Sequence, residues 1–307
     1  MTAATIELSG VSKLYDGRPA VEDFDLTVAA GECLALVGHN GAGKTTLMKL
    51  MLGLTRADGG SVRVLGENPG RATAAPVRRR IGFLPENVSF QQAMTGRQVM
   101  RFLARLKEEG SAESIRLLDR VGLAEAAGRR IATYSKGMKQ RLGLAQALIG
   151  APEVLLLDEP TSGLDPALRL GFYDIVRELK AGGTTVVLSS HALTELEART
   201  DRVAIVGNGR LVACDTLPGL SRAAGLRTCI RVVVPEGKAS GVARRIGDGV
   251  RVQYVNERAV ELICRADAKM SVLREISTLG ADVTDVDIMP PTLEQVYAHF
   301  LTNGGGR

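Results

Sequence analysis

Residues 33–54 constrain the fold more than any other stretch. Five apolar residues, CLALV, run into GHNGAGKT and then into TLMKLMLGL. A solid apolar run reads as a strand buried on both faces, and the leucine and methionine spacing after it reads as a helix. The turn between them, Gly38-His39-Asn40-Gly41-Ala42-Gly43-Lys44-Thr45, has the form G-x-x-x-x-G-K-[ST]. Its glycines let backbone N–H groups close around an anion at a helix start, where the dipole also favours negative charge. Lys44 is placed to neutralise outer phosphates of a nucleotide, and Thr45 to put its hydroxyl on Mg2+, with Thr46 next on the same helix start. A glycine-rich turn that merely starts a helix is the plainer reading. It leaves the lysine and the hydroxyl without a purpose.

A second buried run, VLLL at 154–157, delivers Asp158 and Glu159 to the carboxyl edge of a sheet, where open α/β folds bind ligands. There Asp158 can hold Mg2+ and Glu159 can polarise an attacking water; a polar turn before Pro160 is the ordinary alternative. Further strands are expected at 5–8, 24–28, 81–84 and 184–188, with a mostly helical stretch at about 93–149. Continuous apolar strands alternating with helices indicate a parallel sheet covered on both faces.

After about residue 216, Leu217-Pro218-Gly219 reads as a break. Beyond it, strands are expected at 228–234, 250–255, 259–264 and 282–288, with helices at 239–246, 268–279 and from 292. That β-α-β-β-α-β order is the split βαβ pattern of ferredoxin-like folds. Gly304-Gly305-Gly306 reads as a flexible tail.

Charge and composition narrow the function. A net charge of +5 over 307 residues is mild, Trp is absent and aromatics are 4%, which argues against a nucleic-acid stacking platform. Runs such as Arg78-Arg79-Arg80 read as solvated surface. No window approaches 18 uninterrupted apolar residues and the N-terminus has no signal core, so a cytoplasmic chain, at most peripheral to a membrane, is expected. Cys33, Cys214, Cys229 and Cys264 are scattered through apolar runs and read as small buried hydrophobes.

The stretch YSKGMKQR at 134–141 looks like a helix front end, with Ser135 and Gly137 able either to cap backbone N–H groups or to cradle an anion. Taken in order, the phosphate loop, YSKGM, LLLDEP ending at Pro160, SGLD at 162–165 and SSH ending at His191 resemble the ATP-binding cassette ATPases over about residues 5–215. The resemblance implies a P-loop NTPase fold at residues 1–216: a parallel sheet core with antiparallel β and helical subdomains, the helical one at about 87–150. A small α+β accessory domain at 217–307 would complete the chain.

It also implies ATP and Mg2+ as ligands, and a homodimer in which each nucleotide is completed by the partner's Ser135 and Gly137. By the same resemblance Tyr15 stacks on adenine, His191 contacts the terminal phosphate and Asp165 links the two cassettes. Local packing for Tyr15 and helix starts for His191 and Asp165 are the plainer alternatives. Two departures stand out. Lys136 and Met138 replace a glycine and a glutamine of the usual signature, and Glu86 stands where the family has a glutamine that links metal and water to the membrane partner. A carboxylate at position 86 can bind Mg2+ or water but cannot donate as an amide does.

One cassette followed by a small domain is similar to bacterial transporters whose ATPase and polytopic membrane subunits are separate chains. Docking of that partner is expected beside residues 86–100, with Phe90, Met94 and Val99 either as contacts or as core. Within this group the chain most resembles ATPases of the copper-related transporter for nitrous-oxide reductase maturation, peripheral on the cytoplasmic side of the inner membrane. A periplasmic accessory protein is a further partner of such systems. Drug or sodium exporters of the same layout, and soluble non-transport ATPases of the family, are the alternatives.

Overall fold

The computed structural model describes residues 4–246 and 250–304, and the chain divides into two compact units between Cys214 and Asp215. In the first unit β1 (Ala4–Tyr15), β2 (Arg18–Ala29) and β3 (Cys33–Val37) precede α1 (Lys44–Met51) and β4 (Gly59–Val64). Next come α2 (Ala75–Arg79), β5 (Ile81–Leu84), α3 (Gly96–Lys107), α4 (Ser111–Arg120) and α5 (Lys136–Ala147). Then β6 (Val154–Leu157), α6 (Pro166–Ala181), β7 (Thr185–Ser189) and α7 (Leu193–Leu196) lead to β8 (Arg202–Gly207) and β9 (Arg210–Asp215).

Six strands form the main sheet in the order β5-β6-β7-β3-β8-β9, with β5 to β8 parallel. Every residue of β3, β6 and β7 is buried, which is why these strands show no polar alternation. Because β6, β7 and β3 are parallel neighbours, their carboxyl ends share one edge. The phosphate loop, Asp158-Glu159 and Ser189-Ser190-His191 all leave the sheet there. A second, antiparallel sheet, β2-β1-β4, shares with α1 a core that includes Phe24, Leu34, Leu47, Met51 and Leu156.

Between β5 and β6 lies the helical part. Helix α3 starts at a capping box: Gln98 N–H donates to Thr95 Oγ1 at 3.3 Å while Thr95 N–H donates to Gln98 Oε1 at 2.8 Å. Helix α5 starts at Ser135, whose Oγ accepts Met138 N–H at 3.2 Å.

The second unit contains α8 (Leu217–Ala223), β10 (Thr228–Val233), α9 (Ala239–Arg245), β11 (Arg251–Asn256) and β12 (Ala259–Cys264). It ends with α10 (Lys269–Thr278), β13 (Asp285–Met289) and α11 (Leu293–Gly304). Its sheet is antiparallel in the order β11-β12-β10-β13, so each βαβ segment has a strand of the other between its own two. Ile230, Val232, Val242, Leu262, Val272 and Ile276 form its core.

Several expectations need correction. The strand expected at 5–8 extends to Tyr15, and the one expected at 184–188 lies one residue later, which brings Ser189 to the sheet edge. The division between units falls at Cys214–Asp215, close to the break expected, but Leu217-Pro218-Gly219 is itself the first turn of α8: Thr216 Oγ1 accepts Gly219 N–H at 3.1 Å, and proline is tolerated where no N–H is needed. Val99 belongs to the core, whereas Phe90 and Met94 are half-buried. Gly304 ends α11, and Gly305 and Gly306 of the expected tail lie outside the described residues.

Cys33 and Cys264 are buried, but Cys214 and Cys229 are only half-buried. Burial, and then the Asp201 carboxylate, push the Cys33 thiol up to about 12. Iodoacetamide at pH 8 should therefore leave Cys33 unmodified in the native protein, because almost none of it is thiolate. Peptide mass mapping checks this; alkylation of Cys33 as fast as in urea-unfolded chain would contradict it.

Candidate functional site

The loop after β3 has a shape that only glycine permits at two points. A Cβ on Gly38 would stand 2.5 Å from Val206 O and 2.9 Å from Ala42 Cβ. Gly43 has φ +105°, and a Cβ there would stand 2.6 Å from Ala20 O. Lys44, buried beneath the loop, donates through Nζ to Gly38 O at 2.6 Å and His39 O at 3.2 Å. Burial lowers the pKa of its ammonium, against the opposing pull of Glu159, Asp158 and Glu86. His39 itself is exposed, its Nδ1 donating to Asn40 O at 2.8 Å.

Across from the loop, the ends of β6 and β7 build a chain of hydrogen bonds. Asp158 is buried; its Oδ2 accepts Thr45 Oγ1–H at 2.8 Å and its Oδ1 accepts Ser189 Oγ–H at 2.7 Å. The same Ser189 oxygen accepts Glu159 N–H at 2.9 Å, so one hydroxyl fixes both acids. Glu159 has φ +47°, a left-handed conformation that costs a non-glycine residue about 1 kcal/mol and turns its side chain off the strand direction. Its Oε2 lies 2.7 Å from Nδ1 of the exposed His191, while its Oε1 is buried and has no hydrogen-bond partner among the described residues.

These groups surround an open cleft of about 470 Å³, lined by Ala20, Asn40 to Thr46, Glu86, Asp158, Glu159 and His191. The site residues read from the sequence thus separate into two sets. Gly41, Ala42, Gly43, Lys44, Thr45, Thr46, Asn40, Glu86, Asp158, Glu159 and His191 come together, with Gly38 and His39 supporting from behind through their carbonyls. Tyr15, Ser135, Gly137 and Asp165 do not line the cleft. Tyr15 is exposed at the tip of the β1–β2 hairpin, with Lys13 Nζ 5.5 Å from its ring centre. Asp165 caps α6, its Oδ1 accepting Leu168 N–H at 2.9 Å. Ser135 caps α5, and Gly137 lies against the 163–168 segment, where a Cβ would stand 3.5 Å from Leu164.

Sequence reasoning does not single out Ser189. The signal available is its place in SSH at the end of an apolar strand, but its function as a bridge depends on β7 lying beside β6. For a divalent cation the available donors are oxygens, the Thr45 hydroxyl and the Asp158 carboxylate. Among the described residues no three His, Cys, Asp or Glu side chains cluster as a metal cage. That pattern fits a hard cation held by one or two protein oxygens together with phosphate and water.

Comparison with known proteins agrees with this geometry. The ABC transporter family matches residues 21–162. The chain is 36% identical to the daunorubicin resistance ATP-binding protein DrrA3 of Streptomyces coeruleorubidus, over 98% of this chain and 96% of that one. It is 42% identical to a fluoroquinolones export ATP-binding protein of Mycobacterium tuberculosis, over 69% of this chain and 70% of that one. Among solved structures, the ATP-binding subunit of an ABC transporter superposes with a TM-score of 0.68 at 31% identity, covering 72% of this chain and 93% of that one. The dimeric bacterial cassette MJ0796 shares the fold, with a TM-score of 0.65 at 22% identity, covering 69% of this chain and 98% of that one. Likeness to a relative along nearly all of both chains, together with a phosphate loop facing a buried acid pair, means that this chain belongs to the ATP-binding proteins of the ABC transporter family and that its cassette is an ATPase.

Proposed function

We propose that the chain is the ATP-hydrolysing subunit of a membrane exporter of amphiphilic small molecules, working as a homodimer around two nucleotides. The observation that carries the hydrolytic part is the buried Oε1 of Glu159, unpaired among the described residues, on a side chain that lines the same cleft as the phosphate loop. That oxygen is free to accept a proton from a water attacking the terminal phosphorus. The new P–O bond forms as the bond to the leaving diphosphate breaks, yielding ADP and phosphate. Lys44 and the loop N–H groups hold the phosphates, and His191, with Nδ1 on Glu159, has Nε2 left for the terminal phosphate. Magnesium, held by Thr45 and Asp158 with Glu86 within reach of its water shell, would neutralise charge on the outer phosphates.

Dimerisation is supported by where the remaining residues lie. Ser135 and Gly137 stand at the exposed start of an α-helix, where N–H groups can donate hydrogen bonds to an anion, yet outside their own chain's cleft. A second copy's cleft is the natural recipient, with Asp165 on the adjoining turn and Tyr15 free at its hairpin tip to meet adenine.

Export is supported by the relatives, whose names speak of daunorubicin resistance and fluoroquinolone export. The names of these two relatives speak of drugs and not of copper or nitrous oxide, so drug-type export replaces copper-related maturation as the favoured cargo class, and no periplasmic accessory protein is included. No helix among the described residues is long and apolar enough to cross a membrane. The membrane part is accordingly assigned to a separate polytopic subunit that docks near Glu86, Phe90 and Met94 and holds this chain at the cytoplasmic face.

Detergent pull-down of the tagged chain from its native membranes tests the proposal. A polytopic protein should co-purify and raise the ATPase rate, and the pair should deplete daunorubicin from the interior of loaded cells. A chain that purifies alone and hydrolyses ATP at an unchanged rate with or without membranes would overturn the transport reading.

A further inference from the structure

Glu195, on α7, ties together parts of the chain that the cleft itself does not join. Its Oε1 accepts from Arg169 Nη1 at 2.6 Å, and its Oε2 accepts the hydroxyls of Thr161 at 3.3 Å and Tyr173 at 3.2 Å. Thr161 and Tyr173 are buried, and the Glu195 side chain is only 16% exposed. Arg169 forks, with Nε on Leu164 O at 3.0 Å, and Leu164 N–H in turn donates to Thr161 O at 3.1 Å. Arg199 lies over the Tyr173 ring, 4.4 Å from its centre, and donates to the carbonyl of Glu195 itself at 2.7 Å. Burial, and then the charge of Glu195, raises the pKa of the Tyr173 phenol, so it stays a donor across the working range.

Besides the contacts made by α6, two links join the turn after β6 to the segment after β7 among the described residues. The first is Glu159 to His191; the second is Thr161 to Glu195. Substrate that engages His191 can do so through Nε2 while Nδ1 keeps Glu159, so the first link moves with the phosphate. The second link does not line the cleft and is untouched by substrate. Stability alone is a weak reason for a charged hub here, since an apolar cluster of similar volume would hold the elements as well.

We propose that Glu195 is a positioning residue for hydrolysis: it fixes the His191 segment, the turn at 161–165 and the start of α6 as one body, so that movement of His191 carries Asp165 with it and Glu159 keeps its aim. The proposal rests on the ATPase activity and is independent of the cargo.

Replacing Glu195 with Ala should lower kcat about tenfold to thirtyfold, as expected when a reacting group is displaced by a fraction of an ångström. KM for ATP should stay within about threefold, because the phosphate loop is untouched. Thr161→Val removes one hydroxyl and little volume, and should lower kcat in the same direction by about threefold to fivefold. The double variant should be no slower than Glu195→Ala alone, the non-additivity of two residues in one network. Glu195→Gln, which keeps an acceptor, should recover most of the rate. A Glu195→Ala protein that is folded by circular dichroism and turns over within about twofold of wild type would overturn the proposal. So would losses that add fully in the double variant, or a rate restored to wild type by cooling, since these mark a merely structural role.

Discussion

Glu159→Gln should cut steady-state ATP hydrolysis at least about a hundredfold while leaving ATP affinity within about threefold. The amide keeps an oxygen for His191 Nδ1, so the contact that orients the side chain survives. What is lost is the carboxylate's second acceptor: Oε1, buried and unpaired, is replaced by an NH2 group that cannot take a proton from water. Backbone contacts to Ser189 do not involve the side chain and are retained. Released phosphate and bound nucleotide, measured on the same sample, check both halves of the expectation. With ATP, the variant should also run as a dimer in size-exclusion chromatography, because the bridging nucleotide is no longer consumed. Hydrolysis within about tenfold of wild type would mean that another group accepts the proton.

The second large effect is expected at Gly43. Gly43→Ala should abolish ATP binding, with a loss of at least about a hundredfold in affinity. Two costs act together. Alanine at φ +105° is in a region L residues rarely adopt, and its Cβ would press to 2.6 Å on Ala20 O. Relief requires either a shift of the β2 backbone or a peptide rotation in the loop, and rotation removes N–H groups from the phosphates. Gly41→Ala is the informative control. It too has positive φ, +84°, but its Cβ would meet nothing within 4 Å, so it carries the strain without the collision. Nucleotide titration should rank wild type, then Gly41→Ala, then Gly43→Ala. Equal losses at the two positions would show that strain alone sets the effect.

Legibility in the sequence depends on which interactions are local. The strand at Cys33–Val37 and the ones at 81–84 and 154–157 are runs of apolar residues whose two covered faces leave no polar position to confuse the reading. The phosphate loop is legible because all its parts lie within eight residues. Strand β4 begins with Gly59-Gly60, which resembles a turn, and α8 is hidden because Pro218 and Gly219 act as breakers anywhere but a helix start. Ser189 and Glu195 are beyond reach for a different reason. Each matters through partners about 30 residues away or on neighbouring elements, and only the order β6-β7-β3 brings those partners together. Cargo is legible least of all, since no residue of this chain needs to touch it.

Lys44 ties its own loop together, donating through Nζ to Gly38 O and His39 O. Because these bonds lie within the chain, folding itself meets much of the ordering entropy of that loop. Nucleotide association should then proceed at a diffusive rate without a slow loop-closing phase. Calorimetry should show a small heat-capacity change, unlike that of a segment that folds on its ligand. Slow conformational work is left to the stage after binding, when two already shaped half-sites must find each other.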